Sequence, residues 1–280
     1  MGRIGSIIRR AIPEQYRPIG YLTSLARRRT DCRVRSGPFA GMRCGLSAFG
    51  SAYIPKLLGI YEMELAPLIE ATCTYRHNPD LIVDVGAAEG YYAVGLALRK
   101  PSARVIAFEM EDLGRERLRE AAELNYVSGR IDIRGKCEAQ DLEGVLGGST
   151  APIVVCDVEG YEAALLDPIT VPSLRRATIL VELHEFICSG ITGILQARFD
   201  STHHIRHVPQ QPRSREQFPW RTFGTLLLPK SYLDWVVSEW RPVPMSWLWM
   251  EPRSRELKTG ITRKVTVRDS PSCHQPAVDR

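Results

Sequence analysis

From Leu81 onward one pattern repeats: a run of four or five residues that is mostly apolar, a polar break, then a longer stretch with helical spacing. The runs are Leu81 to Val85, Arg104 to Phe108, Ile131 to Arg134, Ile153 to Cys156 and Ile179 to Leu183; the helical stretches lie around Tyr91 to Leu98, Gly114 to Leu124, Gln140 to Val145, Tyr161 to Leu166 and Ile191 to Phe199. Strands joined through helices pair in parallel, and near-continuous apolar runs are those of strands covered on both faces. The pattern therefore predicts an α/β fold with a mostly parallel central sheet and helices on both faces. His204 to Val208 and Ser246 to Met250 follow as candidate strands, an antiparallel pair that closes the sheet. A chain of 280 residues, 44% of them hydrophobic, has enough apolar surface for one such domain.

The flanks differ from this body. Met1 to Arg35 holds nine Arg against Glu14 and Asp31, and Pro252 to Arg280 holds seven basic against three acidic residues, so the formal charge of +5 hides a middle with 21 basic and 27 acidic residues. A negative body argues against a nucleic-acid-binding domain. The division predicted is a basic N-terminal extension over 1–35, a cover segment over 36–78, the α/β domain over 79–251 and a basic tail over 252–280. Ile4 to Arg29 can form short amphipathic helices, either a peripheral contact with an anionic membrane surface or a solvated extension. Glycines between Gly37 and Ser51 suggest turns around short strands, and Ile54 to Cys73 reads as one helix with Leu57, Leu58, Tyr61, Leu65 and Leu68 on one side. The seven cysteines are odd in number, scattered and without a C-x-x-C pair, which fits a reducing cytoplasm rather than a disulfide framework or a zinc site. No apolar stretch approaches the roughly 18 residues needed to span a bilayer.

The first strand runs into Gly86-Ala87-Ala88-Glu89-Gly90, a turn in which small residues bring backbone N–H groups close to a ligand at the start of a helix. A dinucleotide fingerprint would place a third glycine where Tyr91 stands, so the spacing favours a nucleoside without a pyrophosphate and disfavours a nicotinamide-dependent oxidoreductase. Asp84 can accept from loop amides or, through water, from an ammonium group. Glu109, 23 residues beyond Gly86 at the end of the second strand, can accept from two ribose hydroxyls.

Val83 to Tyr92 resembles the first motif of class I S-adenosylmethionine-dependent methyltransferases, and its Gly-Tyr-Tyr ending resembles the FkbM-type branch. Val154 to Glu162 is similar to the Asp-x-Glu-Gly-x-Glu segment of that branch, and Leu124-Asn125 fits the superfamily; Ala87-Ala88-Glu89 departs from the Gly-Ala-Asn form common in the branch. The resemblance runs from about Leu81 to Pro209, and it implies a Rossmann-like class I methyltransferase fold with S-adenosylmethionine as cofactor. Cofactor contacts are expected at Asp84, Gly86, Ala87, Gly90, Glu109, Met110, Cys137 and Asp157, with Cys137 beside the adenine. The implied reaction is O-methylation of a small-molecule or carbohydrate hydroxyl; a protein, a lipid-linked glycan or a nucleic acid are the alternative acceptors.

Chemistry is expected at the carboxyl ends of the strands, where open α/β sheets bind ligands. Asp157 and Glu159 follow the fourth strand, and Glu182 and His184 end the fifth; residues two apart on an extended segment point the same way. His184 and Glu159 are rival general bases for removing an acceptor proton. Asp157, Glu182 and His184 can alternatively bind a divalent cation such as Mg, or the two carboxylates can cap the next helix and His184 can be a buried structural histidine. His203, His204 and His207 are candidates for the acceptor pocket.

Overall fold

A computed structural model describes residues 17–46, 48–49, 51–74 and 78–253. The expectations for 1–16 and for the tail from 254 lie outside the described residues. The seven strands are β1 (Leu81–Val85), β2 (Arg104–Phe108), β3 (Ile131–Arg134), β4 (Ile153–Cys156), β5 (Thr178–Glu182), β6 (His203–Pro209) and β7 (Ser246–Pro252). They form one sheet in the order β3-β2-β1-β4-β5-β7-β6. The first five are parallel, and β7 runs antiparallel to both β5 and β6. This is the Rossmann-like architecture with an antiparallel closing pair that the sequence predicts. β5 begins one residue earlier than the apolar pattern suggested, because Thr178 pairs with Ile153 and donates its N–H to Pro152.

The helices are α1 (Pro18–Thr30), α2 (Tyr53–Leu58), α3 (Ala66–Cys73), α4 (Tyr91–Arg99), α5 (Asp112–Leu124), α6 (Ala139–Leu146), α7 (Glu162–Leu165), α8 (Ile191–Phe199), α9 (Phe223–Leu226) and α10 (Lys230–Val237). On one sheet face Ile82, Val105 and Val155 pack with Ala93, Ala97, Leu118 and Ala122 of α4 and α5. The other face takes Val83, Val85 and Ile106 with Leu142, Leu146, Leu195 and Phe199 of α6 and α8. α5 shows why so charged a sequence is a helix: its buried residues, Gly114, Leu118 and Ala122, recur every fourth position and leave the charges on the solvent side.

Two parts of the periodicity reading change. Ile54 to Cys73 is not one helix: Gly59 ends α2 in the left-handed region (φ 73°), Glu62 is also left-handed (φ 47°), and a 3-10 turn (Met63–Leu65) leads into α3. The segment between β6 and β7, for which the sequence pattern predicted no element, contains α9 and α10. Leu233, Val236 and Val237 of α10 form a third apolar cluster with Leu22 and Leu25 of α1, Ile54 and Leu58 of α2, and Phe218. Among the described residues no helix is long and apolar enough to cross a membrane.

Candidate active site

The strand order reverses between β1 and β4, and their carboxyl ends open on a cleft of about 530 Å³. Gly86, Glu109, Met110, Cys137 and Asp157 line it, and Ser51, Lys56 and Tyr61 cover it from the N-terminal side. The other three expected cofactor contacts do not line it. Ala87 is buried in the apolar layer beneath the turn. Gly90 packs on α5, where an added Cβ would stand 2.1 Å from the Leu118 side chain. Gly86 is required by the sheet as much as by any ligand, since its Cβ would meet the Asp157 carbonyl oxygen at 1.7 Å. Both glycines are left-handed, with φ of 82° and 88°. The ligand-facing residues of the turn are Gly86 and Ala88.

Asp84 is also corrected. It lies buried under the turn, hydrogen-bonded to the Ala93 backbone in the first turn of α4 rather than to the loop, and its second oxygen has no partner. Burial pushes its carboxyl up to about 7 against the pull of that hydrogen bond, with the neighbouring Asp157 and Glu109 charges adding to the rise.

Glu109 is held in place from two sides. Its Oε2 accepts from the Ala88 N–H and its Oε1 from the Glu111 N–H, both at 2.8 Å. Gly114 makes the room: a Cβ there would come within 2.7 Å of the Glu109 side chain. Each carboxylate oxygen keeps a further lone pair, so a pair of adjacent hydroxyls in the cleft can still be bound. Met110 is 65% exposed at the rim, and Cys137 is buried with its thiol pushed up to about 12 by burial, a neutral wall rather than a nucleophile. The acceptor Glu109, beside a wall of Phe108 and Cys137, suits a ligand that presents adjacent hydroxyls next to an apolar ring.

Where β4 ends, Asp157 and Glu159 face the cleft, with side chains 41% and 76% exposed. Glu159 takes a left-handed backbone (φ 49°), which for a residue with a Cβ is a strained conformation. Behind them the buried His184 ring contacts three carboxylates. Its Nδ1 is 2.6 Å from Glu162 Oε1; its Nε2 is 3.3 Å from Glu159 and 3.6 Å from Asp157. Burial works against the imidazolium, but the hydrogen bond to Glu162 and the charges of Asp157 and Glu159 hold it above its ordinary range. Glu162 in turn is lowered, since the bonds from His184 and the Gly160 N–H outweigh its burial. Burial at the cleft floor raises the Asp157 carboxyl, His184 pulls it down and Glu159 pushes it up.

Of the four residues expected to carry chemistry, two reach the cleft. His184 is only 2% exposed and lies behind the carboxylates, so it does not meet an acceptor directly. Glu182 is buried against Arg241, which also pairs with Glu62 at 2.5 Å and Glu239 at 2.9 Å. Asp157, Glu182 and His184 do offer ligand atoms within 4.8 Å of one another. The Arg241 guanidinium on Glu182 nevertheless fills the role a cation would have there, so the set does not fit a divalent metal. His203 is structural, its Nε2 2.9 Å from the Ala177 carbonyl oxygen, and none of His203, His204 and His207 lines the cleft.

The sequence reading assigned no role to Glu162, Arg241, Arg213, Lys56 or Glu89. Arg213 pairs with Glu64 at 2.6 Å and with Glu239; Lys56 pairs with Glu89 and lies over the Tyr61 ring at 4.7 Å. The Glu62 to Arg241 pair spans 179 residues of chain, a separation that leaves no local pattern to find. Glu162 did leave one, in the last position of the Asp-x-Glu-Gly-x-Glu segment.

No protein-family model matches the chain. Over 117 residues it is 34% identical to the ribosomal protein L11 methyltransferase of Desulfitobacterium hafniense, covering 41% of this chain and 33% of that protein. The chain thus spans about a third of the length of that curated relative. Among solved structures it is similar to the precorrin-6y C5,15-methyltransferase of Geobacter metallireducens, with a TM-score of 0.44 and 11% identity over 68% of this chain and 89% of that one. TrmN of Thermus thermophilus gives a TM-score of 0.42 and 14% identity over 71% and 49% of the respective chains. At these scores neither structure bears on activity or acceptor.

Proposed function

We propose that this chain is an S-adenosylmethionine-dependent methyltransferase of the FkbM-type branch that methylates a hydroxyl of a small molecule or carbohydrate. The observation that carries the reading is Glu109, fixed by two backbone amides and aimed into the same cleft that Asp157 and Glu159 close at its other end. The Asp157-Val158-Glu159-Gly160-Tyr161-Glu162 segment and the similarity to a methyltransferase support it. The cysteines among the described residues are unpaired, in keeping with a cytoplasmic setting.

The cofactor, when bound, supplies a methyl group already activated on a sulfonium. The chain's own work is then to hold and align, and to accept a proton. Glu109 would receive the ribose hydroxyls and Met110 and Cys137 would flank the base, while Asp84 braces the turn from beneath through the Ala93 backbone. Asp157 takes the acceptor proton: it faces the cleft, and its raised pKa makes it a better base than an ordinary carboxylate. His184, held by Glu162, sets the position and basicity of Asp157 from behind. Calorimetry with S-adenosylhomocysteine and with NAD tests the cofactor; tight NAD binding with none of S-adenosylhomocysteine would sink the proposal.

A protein amine is the second reading, favoured by the exposed Glu159 and Asp157, which suit a cationic side chain at the mouth. Labelled methyl groups recovered in protein rather than in small molecules or glycans would decide for it. The acidic middle of the sequence disfavours a nucleic-acid acceptor.

A further inference from the structure

Between Glu216 and Asp234 the chain has no acidic residue, and Arg221 and Lys230 bracket the single turn of α9. On that turn Phe223, Leu226 and Leu227 fall at positions i, i+3 and i+4 and so share one side. They are 79%, 71% and 70% exposed. The other side of the turn is fixed in place. The Thr222 hydroxyl accepts from the Thr225 N–H at 3.2 Å, and Thr225 is buried. Gly224 lies so close to Tyr21 of α1 that a Cβ would stand 2.7 Å from the ring, and the Tyr21 and Thr222 hydroxyls are 2.8 Å apart.

The exposed side chains therefore sit on a braced support rather than on a loop free to fold them inward. Three bulky apolar side chains between cations match an anionic lipid surface, where the apolar tips enter the headgroup and acyl boundary and the cations meet phosphates. Three side chains fall well short of the roughly 800 Å² per partner of a stable protein interface.

We propose that α9 docks the protein on an anionic membrane surface through Phe223, Leu226 and Leu227, flanked by Arg221 and Lys230. The test is cosedimentation of the full chain with vesicles of phosphatidylglycerol and phosphatidylcholine in equal parts, against phosphatidylcholine alone, at low and high salt. Wild type is expected to partition onto the anionic vesicles about tenfold or more in excess of the neutral ones, and to be released by salt. The F223S/L226S/L227S variant should lose that binding by about tenfold, and R221E/K230E should lose it while every apolar side chain is kept. Both should unfold at the wild-type temperature, since the altered side chains are exposed. Wild type left in the supernatant with anionic vesicles overturns the proposal, as does a triple variant that sediments as wild type does. A wild-type dimer that the triple variant splits would assign the patch to a second copy of the chain and overturn it equally.

Discussion

His184 Nδ1 lies 2.6 Å from Glu162 Oε1 in the interior, while its Nε2 looks toward the two carboxylates that face the cleft. One ring thus joins a buried charge to the position where an acceptor would be deprotonated.

Glu162→Gln should lower the pKa of His184, because the hydrogen bond that favours the imidazolium is lost; NMR titration of the ring reads this directly. Stability follows by linkage. His184 is raised from 6.5, so its contribution is complete below 6.5 and disappears as pH rises through the folded value; Glu162 is lowered from 4.5, so its share disappears as pH falls below that. The variant should therefore be about 2 kcal/mol less stable between these pH values, as expected for a charged hydrogen bond, with a smaller deficit on the alkaline side. An alkaline deficit as large as the one at pH 6 would contradict this.

Asp157→Asn should reduce turnover by about 10² to 10⁴, the usual worth of a general base, with S-adenosylhomocysteine still bound. In the wild type, turnover should rise with pH through the raised Asp157 pKa. His184→Asn should move that limb to higher pH, because the charge that pulls Asp157 down is gone. Retained turnover in Asp157→Asn would return this carboxylate to a capping role.

Glu109→Ala should weaken S-adenosylhomocysteine binding by about 10- to 100-fold, the loss of one or two hydrogen bonds to a charged acceptor. Isothermal calorimetry measures it, and unchanged affinity would place the ribose elsewhere.

Two glycine substitutions should act in opposite directions. Gly86→Ala places a methyl against the Asp157 carbonyl at a φ of 82° and should destabilise by about 3 kcal/mol or more. Gly144→Ala, in α6 with nothing within 4 Å, should stabilise by about 0.5 to 1 kcal/mol. Thermal melts of the pair compare them in one fold.

Arg241→Met strips the shared cation from Glu62, Glu182 and Glu239 and should cost about 3 to 5 kcal/mol at neutral pH. Glu62 and Glu182 are already raised by burial and will rise further without the guanidinium, so in the variant stability falls as pH increases through their folded values. The gap from wild type should narrow in acid, as chemical denaturation across pH would show.

The parallel part of the sheet was legible in the sequence because its central strands are apolar runs covered on both faces and alternate with stretches of helical period, so composition and spacing point the same way. β1 to β4 fall where the apolar runs fall, and the ends of β1, β2 and β4 carry Gly86, Glu109 and Asp157 into the cleft. What spacing could not supply was depth. Nothing in a linear pattern places His184 behind Asp157 rather than beside it, or turns Asp84 down toward Ala93. The cover was read as one helix because its apolar residues keep a helical period across Gly59; the left-handed Gly59 and Glu62 redirect the chain there. Arg213 and Arg241 were missed because long-range ion pairs leave no trace in periodicity.

The third apolar cluster joins α1 and α2 to α10, segments that leave the ribosome roughly 200 residues apart. A nascent chain that has emerged only through β5 has the strands that build the cleft but lacks Arg213, Arg241 and α10, the partners that seat Glu62, Glu64 and α2 over it. The cover can be seated only after the chain has grown past Arg241, so in a growing chain the strands that build the cleft are made well before the contacts that roof it.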